Sequence, residues 1–193
     1  MDNKIEVLIS FLKEIEKFKT IERKTFNSNG RSESDAEHAW HLAMFIILFE
    51  KDMPANTDLL KMLKMAMVHD LVEIYAGDTF LFDKEANKDK KERELMAANK
   101  LFSLLPVELE KEFHAIFDEF ESGTSAEAKI VLSFDKIQAI LQNICSEGKG
   151  WKDNKIKYDE VDSYKRHLML HDTKVLEIYE KLMNEAKEKG FLT

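Results

Sequence analysis

The sequence predicts an all-α fold, and three features lead to that prediction. Apolar residues recur at intervals of three and four, as they do along the buried face of an amphipathic helix. The six glycines and two prolines all fall outside these periodic runs, where such residues end helices or form loops. No segment alternates apolar and polar residues over the length of a strand, so no β-strand is expected. The predicted architecture is a helical bundle of about seven helices.

The first half of the chain divides into amphipathic segments separated by turn-forming residues. The run Ser34-Asp35-Ala36-Glu37 has the pattern of a capping box, so a helix is expected to begin there. Pro54 interrupts the periodicity that follows, and Gly77 is expected to end the next helix. Residues 20–34 are polar and irregular and are expected to form a loop. The predicted helices cover residues 5–15, 34–50 and 57–76.

The second half continues with helical periodicity and contains no linker or internal repeat. Pro106 separates two helices, and Gly148-Lys149-Gly150 opens a loop. Residues 83–94 form a dense charge run with i,i+4 pairs, for which a solvated helix is expected and a mobile flap is the alternative. The predicted helices cover residues 85–105, 107–121, 126–147, 159–171 and 174–189. One domain is therefore expected over residues 1–193, with its core at about 5–180.

Composition excludes several classes of function. The formal net charge of −8 argues against nucleic-acid binding through a basic surface, but it allows a small anion held by a few arginines. No apolar run approaches the length of a membrane span, and the first residues lack the layout of a signal peptide. Cys145 is the single cysteine, so no intrachain disulfide is possible and a reducing, cytoplasmic compartment is expected.

The dipeptide His69-Asp70 is the most informative motif in the chain. It lies in an otherwise apolar run, Met65–Glu73. Burying an ionised aspartate is costly unless a nearby charge compensates it, and a divalent cation does so well. Neutral imidazole is a common metal ligand. The pair therefore predicts half of a metal site, although alone it also fits a hydrogen-bonded core histidine beside a capping aspartate.

Two further positions supply the other half of this site. His38 lies near the start of the second predicted helix, and Asp135 is a lone acid in an apolar stretch. Two imidazoles and two carboxylates favour one catalytic divalent ion, such as Mn, Co, Fe, Ni, Zn or Mg, over a closed structural zinc site. Glu73 follows His69 by four residues, so it is expected beside the metal as an acid or base.

The order of these residues resembles a known family. His38, then His69-Asp70, then Asp135 resembles the H…HD…D signature of the HD-domain metal-dependent phosphohydrolases. The segments Arg31–His38, Val68–Asp78 and Ser125–Lys129 are similar to those of its small 5′-deoxynucleotidase branch. The resemblance spans roughly residues 5–180.

The resemblance implies an HD-type helical bundle, a homodimer, and roles for individual site residues. It implies that Glu73 helps activate the attacking water, that Arg23 contacts the substrate phosphate and that Asp78 lies near the deoxyribose 3′-hydroxyl. Arg31 is a second candidate for phosphate binding, because a guanidinium matches phosphate geometry. Lys24 departs from the tryptophan of the branch's bacterial nucleotidase, which leaves the sugar preference open. The implied metal ligands are His38, His69, Asp70 and Asp135.

The implied function is a 5′-nucleotidase that converts (deoxy)nucleoside 5′-monophosphates into nucleoside and phosphate. Two alternatives stay open: an HD phosphohydrolase acting on nucleoside triphosphates or signalling nucleotides, and a catalytically silent metal-stabilised domain. The presence of Glu73 argues against the silent domain, because a structural metal needs no general base. A second HD dipeptide, His171-Asp172, lacks an acid at the offset of Glu73, so a packing or solvent-facing role is expected. His41, three residues after His38, is expected either to support the metal ligands from behind or to pack in the core, and His114 is expected to have a structural role.

Overall fold

A computed structural model of the chain describes residues 2–192 and confirms the predicted helical architecture. The described residues form ten α-helices, of which α4 and α8 have only four and five residues. None of these helices is long and apolar enough to cross a membrane. The helices are α1 (Asp2–Ile15), α2 (Asp35–Leu48), α3 (Leu59–Val68), α4 (Glu73–Ala76), α5 (Lys90–Phe102), α6 (Val107–Ser122), α7 (Ala126–Cys145), α8 (Lys149–Asp153), α9 (Tyr158–Met169) and α10 (Thr173–Glu188).

A small β-hairpin occupies part of the segment for which an irregular loop was expected. Strand β1 (Glu22–Phe26) pairs antiparallel with β2 (Ser32–Ser34), and Gly30 occupies the connecting turn with a φ of 86°. Strands of five and three residues are too short for an alternating pattern to be visible in the sequence. The prediction that the chain has no strand is therefore wrong here. The hairpin packs on α7 and α2, next to the predicted metal ligands.

Helix α7 lies at the centre of the molecule. Its apolar residues Ile130, Val131, Phe134, Ile137 and Ile140 are fully or almost fully buried. They pack against α2, α3, α6 and α10, which surround this helix. Because apolar side chains cover several faces of α7, any polar group on it is surrounded by protein. Helix α7 therefore brings the carboxylate of its own Asp135 into the interior.

The helix predicted over residues 57–76 is interrupted at the HD dipeptide. Helix α3 ends at Val68, and the next residues form tight turns before α4 begins at Glu73. The amide of Leu71 donates to the carbonyl of Val68 at 3.1 Å, and that of Glu73 to Asp70 at 2.9 Å. These i→i−3 bonds wind the chain more tightly than an α-helix does. As a result, the side chains of Asp70 and Glu73 point in other directions than they would on one continuous α-helix.

Helix α5 begins five residues later than the sequence predicted, because the preceding segment is folded as a loop. The Asp83 carboxylate accepts hydrogen bonds from the amides of Glu85 and Ala86 at 3.1 and 3.0 Å. The Asn87 side chain donates to the carbonyl of Phe80 at 2.8 Å. An aspartate that binds the backbone in this way competes with helix formation. The loop consequently covers one side of the predicted site instead of extending α5.

Candidate active site

The four predicted metal ligands come together in the structure. They arrive from three elements: His38 from α2, Asp135 from α7, and the HD dipeptide from the turn after α3. Nε2 of His38 lies 3.1 Å from Asp135 Oδ1 and 3.6 Å from Asp70 Oδ2. Nε2 of His69 lies 3.1 Å from Asp70 Oδ2. Both imidazoles and the Asp135 carboxylate are buried, so the cluster lies at the base of a pocket.

Hydrogen bonds to the opposite ring nitrogens leave both Nε2 atoms as acceptors. Nδ1 of His38 donates to Gln138 Oε1 at 2.7 Å, and Nδ1 of His69 to the carbonyl of Ala66 at 3.1 Å. Both Nε2 atoms are buried and have no hydrogen-bond partner among the described residues. Two unpaired imidazole lone pairs facing two carboxylates are the arrangement that a divalent cation requires. The residues present therefore fit a metal ion.

Gln138 is a site residue that the sequence reasoning missed. Its side chain also donates to Glu33 Oε1 at 2.7 Å and lies 3.3 Å from Nδ1 of His41. These bonds fix the orientation of the Gln138 amide, so its oxygen faces His38. The available signal was its position three residues after Asp135 on α7, which places both side chains toward the same side. His41 is half-buried beside Gln138, in keeping with the supporting or packing role expected for it.

A second acidic cluster lies next to the first. Oxygens of Asp35, Glu73 and Asp78 lie within 4.8 Å of one another, close enough to hold a cation. Asp35 Oδ2 and Glu73 Oε2 are buried and have no hydrogen-bond partner among the described residues. Burial, and then the charges of Asp70 and Asp35, raise the pKa of Glu73 to about 11. Positive charge placed nearby would lower this pKa and allow Glu73 to accept a proton.

Arg23 joins the two acidic groups. Its Nη1 donates to Asp35 Oδ1 and to Asp70 Oδ2, in both cases at 3.0 Å. The side chain is 14% exposed and lines the pocket, so its remaining N–H groups are available to an anion. Strand β1 carries Arg23 and directs its side chain toward the pocket.

Asp78 lines the same pocket. It follows Gly77, whose φ of 75° ends α4 and turns the chain.

Arg31, the second predicted phosphate ligand, lies outside the pocket. Its side chain is 55% exposed and forms a salt bridge with Glu37. Glu37 is the acidic member of the capping box at the start of α2, which the structure confirms. The hairpin turn directs Arg31 toward this helix end, since the Glu37 carboxylate is the closest negative charge. The salt bridge with Glu37 therefore accounts for the position of the Arg31 side chain, and no role in substrate binding is needed.

The pocket is also lined by Lys24, which the sequence analysis linked to the sugar preference, and by three lysines that the sequence did not indicate, namely Lys90, Lys136 and Lys165. Lys136 follows Asp135 in the sequence and binds its Oδ2 at 2.7 Å. Lys90 begins α5 and lies 3.3 Å from Glu94, in the charge run interpreted as a solvated helix. Lys165 comes from α9, and no motif in the sequence indicated it. Aromatic residues also line the pocket, namely Phe80, Phe82 and Trp151.

The second HD dipeptide has a structural role, as expected. Nε2 of His171 lies 2.8 Å from Ser133 Oγ. The Asp172 carboxylate caps α10 by accepting hydrogen bonds from the amides of Lys174 and Val175. His114 packs edge-on against Phe102, with ring centroids 5.1 Å apart. None of these histidines lines the pocket formed by the described residues.

Comparisons with known proteins agree with this geometry. The HD domain family matches residues 15–175 of the sequence. The chain is 33% identical over 137 residues to the 5′-deoxynucleotidase HDDC2 of Bos taurus, covering 70% of this chain and 65% of that protein. It is 29% identical over 140 residues to the 5′-deoxynucleotidase yfbR of Photorhabdus temperata, covering 68% and 71%. The match thus spans slightly less than two thirds of the bovine relative.

A solved structure matches almost the whole chain. It is described as a predicted metal-dependent phosphohydrolase from Magnetospirillum magnetotacticum MS-1. Its sequence is 34% identical, the TM-score is 0.89, and the superposition covers 98% of this chain and 96% of that one. The superposition therefore covers nearly all of the helices, the strand and the loop that line the pocket.

Proposed function

This chain belongs to the HD domain family, and we propose that it is a metal-dependent phosphohydrolase that converts (deoxy)nucleoside 5′-monophosphates into nucleoside and phosphate. The observation that carries the proposal is the pair of unpartnered Nε2 atoms facing the Asp70 and Asp135 carboxylates. This donor set opens into a pocket that also presents Arg23 to an anion. The names of the bovine and bacterial relatives support the monophosphate class of substrate.

We assign the metal to His38, His69, Asp70 and Asp135. Two neutral imidazoles and two carboxylates suit a catalytic divalent ion, and its identity is a matter for experiment. When bound, such an ion supplies Lewis acidity, which lowers the pKa of water and neutralises phosphoryl charge. The hydrogen bond from His38 to Gln138 and that from His69 to Ala66 hold both rings in the tautomer that this ligand set needs.

The remaining residues have roles that follow from their positions. Glu73 takes the proton of the attacking water, because its free Oε2 lies beside the ligand cluster and positive charge there lowers its raised pKa. Arg23 binds the phosphate through N–H groups that its hydrogen bonds to Asp35 and Asp70 leave unused, and its Nε lies 3.8 Å from Glu33. Asp78, at the same pocket wall, accepts a hydrogen bond from a sugar hydroxyl.

A second candidate substrate class is the nucleoside triphosphates or signalling nucleotides. The observation in its favour is the number of cations in the pocket, where Lys24, Lys90, Lys136 and Lys165 accompany Arg23. Additional phosphates would match this charge. A catalytically silent metal-binding domain is disfavoured, since a base beside the ligands serves no structural purpose.

One screen separates these possibilities. The protein is incubated with nucleoside mono-, di- and triphosphates, with Mn²⁺, Co²⁺, Mg²⁺ or Zn²⁺ added separately. Release of inorganic phosphate from monophosphates, with the free nucleoside as co-product, is the expected result. Release of pyrophosphate or triphosphate instead would assign the second class. No hydrolysis with any metal would refute the monophosphate and the triphosphate proposals.

We also propose a homodimer in the cytoplasm. An apolar groove between α1, α3 and α6 is lined by Leu8, Leu12, Met67 and Leu109. Leu12 is 62% exposed, and Met67 48%. Exposed apolar surface of this kind is typical of subunit interfaces. Sedimentation analysis of the wild type and of Leu12→Glu tests the proposal, with dissociation expected in the variant.

The free thiol of Cys145 is consistent with a reducing compartment such as the cytoplasm.

A further inference from the structure

Lys165 is a pocket residue that the proposed site leaves unexplained. It is only 5% exposed, and its side chain lines the pocket near Asp135. Its Nζ donates to the backbone oxygen of Lys136 at 3.2 Å. Arg23, Lys90 and Lys136 each face a carboxylate within 3.3 Å. Lys165 forms no salt bridge with any described residue, so its ammonium is the buried one in this pocket without a direct carboxylate partner.

An ammonium in this position is unfavourable in the absence of an anion. It has three N–H donors and a single protein acceptor among the described residues, and burial removes its water. Burial, with the charge of Lys136 acting in the same direction, lowers the pKa of Lys165 to about 7, although Asp135 opposes this. At a buried position with a purely structural role, an apolar side chain usually stabilises the fold as well as a charged one does, or better. The position therefore indicates a ligand that brings negative charge.

We propose that Lys165 is a substrate-binding residue whose ammonium donates to the phosphate of the substrate, in addition to Arg23. The inference rests on the proposed function, because it takes the ligand to be a phosphate monoester. Five cationic and four carboxylate side chains line the pocket. A divalent cation on the ligand set adds two positive charges, so the loaded pocket complements a phosphate dianion. Lys165 lines the same pocket as the ligands Asp70 and Asp135, and the charge of Asp135 acts on its ammonium.

Inorganic phosphate is the probe that tests this role. Phosphate affinity of the full chain loaded with Mn²⁺ is measured by calorimetry for the wild type, Lys165→Met and Lys165→Gln. We expect both variants to bind phosphate roughly 10–100-fold more weakly, the effect of losing a charge-assisted hydrogen bond. The KM for the nucleotide should rise, and metal content should be unchanged. Lys165→Met should melt at the wild-type temperature or above it when phosphate is absent, because it removes a buried charge.

Lys181→Met is the matched control, because Lys181 is 74% exposed on α10 and pairs with Glu177. It should bind phosphate as the wild type does. The inference is overturned if either Lys165 variant binds phosphate within twofold of the wild type, if both lose metal, or if both fail to fold. A wild type that binds phosphate through Lys165 but hydrolyses no nucleotide would refute the proposed function and leave the assignment of Lys165 intact.

Discussion

At the residue scale, the chemistry of the site depends on which ring nitrogen of each histidine carries the proton. The Nδ1 protons of His38 and His69 are held by Gln138 and by a backbone carbonyl, and both Nε2 lone pairs face carboxylates. The acid Glu73 belongs to the second acidic cluster, together with Asp35 and Asp78. The two clusters share Arg23, so the charge of one affects the proton occupancy of the other.

Glu73→Gln should separate proton transfer from metal binding. The substitution keeps the shape of the side chain but removes the base, so metal and substrate should bind about as well as in the wild type. We expect kcat to fall by roughly 10²–10⁴-fold. Steady-state kinetics and elemental analysis check this together. Loss of metal would make Glu73 a ligand, and full turnover would show that the water needs no protein base.

Gln138→Leu should weaken metal binding although Gln138 does not touch the metal. The variant leaves Nδ1 of His38 without an acceptor, so the ring is no longer held in one tautomer. Loss of such a partner typically costs about 10–100-fold in metal affinity. Titration of the metal-free protein with Mn²⁺ measures the change. Wild-type affinity in this variant would mean that packing alone orients His38.

At the element scale, the same dipeptide has opposite roles at two places. His69-Asp70 lies where α3 gives way to tight turns, and there the Asp70 carboxylate lines the pocket while the His69 ring is buried beside it. His171-Asp172 lies between α9 and α10, where the carboxylate accepts two backbone amides. A free helix N-terminus provides these donors, so Asp172 is satisfied by its own helix.

Asp172→Ala should therefore affect stability and leave the metal in place. Loss of a helix N-cap typically costs about 1 kcal/mol. Urea denaturation should show a lower midpoint, whereas metal content and turnover stay near wild type. Asp70→Ala, by contrast, should abolish metal binding and activity together. Metal loss in the Asp172 variant would mean that the wrong HD dipeptide was assigned to the site.

At the scale of the whole molecule, charge is unevenly distributed. The chain carries a formal net charge of −8, whereas its main polar pocket is lined by five cationic side chains. The net negative charge disfavours binding of nucleic acids and other polyanions, whereas the cations of the pocket attract a small anion. The ligand set also connects α2, α7 and the turn after α3, so a metal there would hold three central elements together.

Metal removal should consequently lower the melting temperature. A ligand that binds only the folded state adds about 2.7 kcal/mol at a free concentration of 100 times its Kd. We expect chelation to reduce the melting temperature by several degrees and Mn²⁺ to restore it, as measured by calorimetry. Asp70→Ala is the control, and its melting temperature should not respond to Mn²⁺. An equal response in both proteins would place the stabilising metal elsewhere.

The features that the sequence alone determined are those set by neighbours along the chain. Helical periodicity, the capping box at Ser34 and the order of His38, His69-Asp70 and Asp135 all follow from local spacing, and they predicted the fold and the ligand cluster. The strands Glu22–Phe26 and Ser32–Ser34 and the turn after Val68 were not predicted, because short strands and a change of winding leave almost no periodic signal.

Only the tertiary structure decided which other side chains face the pocket. It placed Asp35, Gln138 and Lys165 at the site and Arg31 outside it. A helical period specifies which face of a helix is buried, but not which neighbouring element that face meets. Lys165 lies thirty residues beyond Asp135, and the packing of α9 against α7 alone brings the two together. Its burial is therefore a property of the assembled core, which no local pattern in the sequence encodes.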